Sequence, residues 1–96
     1  MSTTIYATLL TFTDQGARNL SQSPQRASSF VASADAAGVR VVSQLWTAGS
    51  YDGVLILEGE EQKVLSLLAQ LAAQGNVRTH SMRAFDAEQF GRIVAH

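Results

Sequence analysis

The sequence predicts an α+β domain in which a four-stranded antiparallel sheet carries two helices on one face. Three observations lead there. The chain has 96 residues, the size of one domain. Its apolar spacing alternates between a two-residue and a helical repeat in the order β-α-β-β-α-β, which in a chain this short most often means the ferredoxin-like arrangement. Apolar residues make up 46% and charged residues 16%, with a single proline, which excludes a disordered chain.

Each element has its own signal. Residues 4–12, TIYATLLTF, are β-branched and aromatic and read as a strand. Residues 13–23 carry Asp14, Gly16 and Asn19 and read as a turn or short helical segment. Ser23-Pro24 opens the first long helix, about 24–37, with Ala27, Phe30, Val31, Ala34 and Ala37 at helical spacing and Gly38 as the stop. Residues 39–48 read as a strand, and Gly49-Ser50 as a two-residue hairpin turn with glycine at its first position. Residues 51–58 read as its partner strand. Gly59 breaks that strand, and Glu60 and Glu61 open a second helix whose stripe is Val64, Leu67, Leu68 and Leu71, widened by Leu65 and Ala72. Gly75-Asn76 ends it, and residues 77–84 form the last strand. In the tail, 86–96, Asp86 and Gln89 stand at capping-box spacing and predict one short helix. The whole chain, 1–96, reads as a single domain.

Composition excludes several functions. There is no cysteine, hence no disulfide, thiolate metal site or thiol nucleophile. His80 and His96 lack metal-ligand spacing, and no Gly-rich phosphate loop occurs, so neither a metal nor a cofactor is expected. The net charge is −1 and the third strand is aliphatic and acidic, which argues against nucleic acid. The apolar stretch Ile5–Leu10 is too short to span a membrane and lacks signal-peptide flanks, so the expectation is a cytoplasmic protein without a membrane partner.

The two central strands are apolar on both sides. Ile5, Ala7 and Leu9 oppose Tyr6, Leu10 and Phe12 in the first strand, and Val54 and Ile56 oppose Leu55 and Leu57 in the third. Two helices cover one face only. A wet second face would expose a larger apolar patch than a monomer tolerates, so the chain is expected to form a homodimer or higher homo-oligomer through that face.

Gly49-Ser50-Tyr51-Asp52 resembles the Gly-x-Tyr-Asp signature of the GYD domain family. Gly16, Ser23-Pro24-x-Arg26, Gly75-Asn76-Val77-Arg78-Thr79 and Ala84-Phe85 resemble its pattern too, and together they cover about Ile5 to Glu88. The resemblance implies the dimeric α/β-barrel fold, in which two ferredoxin-like sheets pack face to face, and it implies no reaction. Glu58-Gly59-Glu60-Glu61 departs from the pattern by lacking a proline at the entrance to the second helix, and His80 does not look like a family position.

Five residues are candidates for ligand binding: Tyr6, Trp46, Tyr51, Asp52 and His80. Trp46 and Tyr6 would form an aromatic wall, or else serve packing. Asp52, just past the turn, would bond backbone N–H groups or pair with Arg26, and is expected to face away from Trp46 and Tyr51. His80 would serve as a general base, or else be an edge-strand surface histidine. No catalytic residue is assigned. The expected function is binding of a small apolar or amphipathic molecule, or action through assembly. The alternatives are a cofactor-free enzyme, by analogy with the small dimeric α/β-barrel monooxygenases, and a ligand-sensing regulatory module. The discriminator is the cavity. A packed interior favours assembly, a cavity holding Asp52 or His80 favours an enzyme, and an interface pocket without titratable groups favours sensing.

Overall fold

The computed structural model describes residues 3–95. Its elements are β1 (Thr4–Phe12), α1 (Asp14–Arg18), a 3-10 turn (Leu20–Gln22), α2 (Ser23–Ala36), β2 (Arg40–Trp46), β3 (Gly53–Gly59), α3 (Glu61–Ala73), β4 (Val77–Ala84) and α4 (Ala87–Val94). The four strands form one sheet in the order β2-β3-β1-β4, every neighbouring pair antiparallel. This is the predicted β-α-β-β-α-β architecture. His96 lies outside the described residues.

The helix-facing side of the sheet carries the core. Tyr6, Leu55 and Leu57 pack against Phe30 and Ala34 of α2 and Val64, Leu67 and Leu68 of α3. Leu65 and Ala72, the expected widening of the α3 stripe, stay exposed. Gly38 and Gly75 adopt φ of 78° and 82°, the left-handed conformation that ends α2 and α3 at low cost. Thr8 is fully buried in the middle of the inner face, its hydroxyl 2.9 Å from that of Ser81.

Two features depart from the sequence expectation. The connection between β2 and β3 is a six-residue bend, residues 47–52, and Gly49 does not have positive φ. The two-residue hairpin turn that would require glycine there is therefore absent. In β2 the register shifts between Val41 and Ser43. This bulge lets Val41, Gln44 and Trp46 all face the helices, although uninterrupted alternation would put Val41 on the opposite side.

Among the described residues, the other face of the sheet is bare. Register places Ile5, Ala7 and Leu9 of β1 there, beside Val54 and Ile56 of β3, Leu45 of β2 and Met82 of β4. Helix α4 closes with the predicted capping box between Asp86 and Gln89, but it buries no residue. The radius of gyration is 14.2 Å, against roughly 12.5 Å for a compact chain of this length.

Candidate functional site

At the Leu10–Gly53 end of the inner face, α2 stands away from the sheet and leaves a cavity of about 70 Å³ that opens to solvent. Leu10, Phe30, Leu55 and Leu71 supply apolar wall, and Ser23, Arg26, Gln44, Trp46 and Asp52 supply polar groups. The Trp46 indole crosses from β2 to α2, its Nε1–H donating to Ser23 Oγ at 3.0 Å. Gln44 Nε2 donates to the carbonyl of Ala27 at 3.4 Å. Both bonds tie the exposed end of β2 to the first turns of α2, and the bulge in β2 is what turns both side chains inward.

Asp52 extends the β1–β3 pairing one step beyond Gly53. Its N–H donates to the carbonyl of Leu10 at 2.8 Å, and its Oδ2 accepts from the N–H of Phe12 at 2.8 Å. Its carbonyl accepts from the N–H of Thr47 at 2.9 Å. A single residue thus holds the end of β1 and the bend after β2 together, each bond contributing about 1 kcal/mol. Asp52 shares the cavity with Trp46, contrary to the expectation that it would face the other way. Strict alternation does not reach it, because it precedes the first residue of β3.

Arg26 enters the cavity from the first turn of α2. Its Nη1 donates to the carbonyl of Asn19 at 2.9 Å. Its Nη2 is buried and has no hydrogen-bond partner among the described residues. The expected Arg26–Asp52 pair is not formed: the ion pairs among the described residues are Arg40–Glu58, Arg83–Glu61 and Arg92–Glu88. From the sequence, Arg26 stands out as part of the Ser23-Pro24-x-Arg26 stretch and as a partner for Asp52. The signal available was a cation in the first turn of a helix, where the dipole disfavours it.

The other candidates lie elsewhere. Tyr6 pairs with Leu57 and Arg83, four residues along β3 from the Gly53 level of the cavity, or about 13 Å. It therefore makes no aromatic wall with Trp46. Its hydroxyl donates to Glu61 Oε2 at 3.0 Å, and Arg83 reaches the same oxygen at 3.6 Å while lying over the Phe85 ring at 5.2 Å. Burial, and then the Glu61 carboxylate, raise the Tyr6 hydroxyl above the usual tyrosine pKa. Tyr51 sits in the bend, its carbonyl accepting from Thr47 Oγ1 at 2.6 Å, and does not line the cavity. His80 faces Leu9 across the β1–β4 pair, on the sheet side away from the helices. Among the described residues no cluster of His, Asp or Glu is placed to hold a metal ion. No helix among them is long and apolar enough to cross a membrane.

Two comparisons bear on this geometry. The family model for the GYD domain matches residues 6–94. The chain is also 33% identical over 81 residues to a Thermus thermophilus protein named glutamine synthetase and cystathionine beta-lyase binding protein, a match covering 82% of this chain and 85% of that one.

Proposed function

The chain belongs to the GYD domain family, and on that premise we propose that it is a homo-oligomeric, cytoplasmic protein-binding module that also holds a small amphipathic molecule. The observation that carries this reading is the bare face of the sheet. Leu45 and Met82 are 59% and 45% exposed, and they flank the central row of Ala7, Leu9, Val54 and Ile56. A second copy stacked about 10 Å away would cover that row and form a dimeric barrel. Protein binding is supported by the name of the Thermus relative and by α4, whose Phe90, Ile93 and Val94 are about half exposed. Glutamine synthetase and cystathionine beta-lyase are the partners proposed for this chain as well. The small molecule is proposed for the cavity beside Trp46.

One observation favours a cofactor-free enzyme as the second reading: Asp52 lines the cavity, where a general base would stand. One carboxylate oxygen is already held by the Phe12 N–H, and His80 lies on the other side of the sheet. The binding reading therefore comes first.

Light scattering tests the assembly. The protein should give at least twice its 10.3 kDa chain mass, and Leu9→Glu should reduce it to a monomer with unchanged circular dichroism. A wild-type monomer would overturn the homo-oligomer. Biolayer interferometry against glutamine synthetase and cystathionine beta-lyase from the protein's own organism tests the partners, and absence of binding to both would overturn that half of the proposal.

A further inference from the structure

Strand register fixes which charges share the bare face of the sheet. On β4, His80 stands beside Leu9, Met82 beside Ala7 and Arg78 beside Thr11, so all three lie on the side away from the helices. On β3, Glu58 stands beside Ile5 on that side, and Arg40 of β2 stands beside Glu58. Among the described residues, Arg40, Glu58, Arg78 and His80 are the charged or titratable groups that register puts there; β1 supplies none, and no helix packs on that side.

The one acid of that set is engaged, Glu58 Oε1 lying 3.5 Å from Arg40 Nη1. His80 stands four residues along the strand direction and two strands across from Glu58, or about 16 Å. The nearest charge on its own face is Arg78, two residues back along β4, or about 7 Å, and that charge is positive. Its other neighbours there are Leu9 and Met82.

A second copy stacked on this face brings the same groups: apolar rows, another Arg78, and another Glu58 held by its own Arg40. A protonated His80 then finds a like charge on its own strand and no free carboxylate opposite. Taking an imidazolium out of water without a counter-charge is costly, and the neutral ring avoids that cost. In a separate copy His80 is exposed, so water carries its charge.

We propose that His80 makes the sheet-face contact between copies proton-sensitive: the copies associate with the ring neutral and separate as it takes up a proton. This rests on the reading of the bare face as the homo-oligomer interface and names the group that regulates it.

A histidine in water is about one-tenth protonated at pH ~7.5 and about nine-tenths at pH ~5.5. Closing the contact with both rings neutral therefore costs about tenfold in affinity per histidine over that interval, and about 100-fold for two. Arginine and glutamate ordinarily keep their charge across it.

Sedimentation of fluorescently labelled protein measures the dimer Kd at the two pH values and constant ionic strength. The wild-type Kd should rise at least about tenfold in acid, towards the limit of about 100-fold. His80→Gln should dimerise at both pH values with a Kd constant to within about threefold. His96→Gln, at the chain's other histidine, should keep the wild-type response. Circular dichroism confirms that each protein stays folded at both pH values. Calorimetric dilution in buffers of differing ionisation heat needs no variant: at pH ~6.5 dissociation should take up about half a proton per chain. A Kd that is unchanged or falls in acid, a His80→Gln protein with the wild-type response, or dissociation without proton uptake would each overturn the switch and leave the homo-oligomer in place. A wild type that is monomeric at both pH values overturns the homo-oligomer reading and the switch with it.

Discussion

Gly16→Ala should destabilise the protein more than any other single-methyl addition at its glycines. Gly16 lies in α1, the five-residue helix capped by Thr13, and is buried against the turn that ends α3. A Cβ at position 16 would fall deep inside the carbonyl oxygen of Asn76 and stand 2.9 Å from its carbonyl carbon. The obstacle is backbone and has no rotamer by which to yield. Relief requires α1 to move off the turn. That movement pulls on the Thr13 N–H to Asn76 bond at 3.1 Å and the Thr13 hydroxyl to Gly75 bond at 2.5 Å. Overpacking of this kind costs about 1–3 kcal/mol, and one lost hydrogen bond about 1 kcal/mol more. The sum, about 2–4 kcal/mol, corresponds to a fall in Tm of roughly 8–32 °C at about 4–8 °C per kcal/mol. Gly49→Ala is the control. It sits in the family's signature motif, yet no atom lies within 4 Å of the point a Cβ would occupy there, and its φ is not positive. It should change stability by about 0.5 kcal/mol or less. Thermal denaturation of the two variants beside wild type is the assay. A Gly16→Ala protein melting within about 2 °C of wild type, or a Gly49→Ala loss as large as that at Gly16, would refute the reasoning.

Two further perturbations probe the far end of the sheet and the tail. The Tyr6 hydroxyl has a folded pKa raised above its unfolded value of about 10, by burial first and then by Glu61, so its contribution is complete below pH ~10 and is lost as pH rises through the folded pKa. Tyr6→Phe should therefore lower the denaturation midpoint near neutral pH and lose less stability than wild type above pH ~10. Parallel alkaline profiles for the two proteins would contradict that. Asp86→Ala removes the capping box of α4 and costs that helix about 0.5–2 kcal/mol. Because α4 buries no residue, amide exchange should accelerate over 87–94 while the global midpoint stays put, and a drop of several degrees would show that α4 packs on something in solution.

Much of this molecule is written in local pattern. The Ile-Tyr-Ala-Thr-Leu-Leu alternation makes β1, Ser23-Pro24 starts α2 to within a residue, and Gly38 and Gly75 stop their helices at left-handed positions. Asp86 and Gln89 make their box in a helix that buries no residue, so no distant contact imposed it. Propensity, capping and period act over a few residues, so each survives without knowledge of the rest. The double-sided apolar character of β1 and β3 is equally local, and it is enough to predict the bare face of the sheet. The cavity is different in kind. Trp46 faces inward beside Gln44, and Val41 with them, only because β2 slips one residue against β3 at Val42, and that slip reflects packing between strands. Asp52 joins Trp46 because a six-residue bend, and no tight turn, delivers it to the Phe12 N–H. Arg26, far before Asp52 in the chain, becomes a cavity wall only once α2 lies across the sheet. Sequence spacing determined which faces are apolar; the tertiary fold alone decided which charges share a cavity, because that depends on distances between segments far apart in the chain.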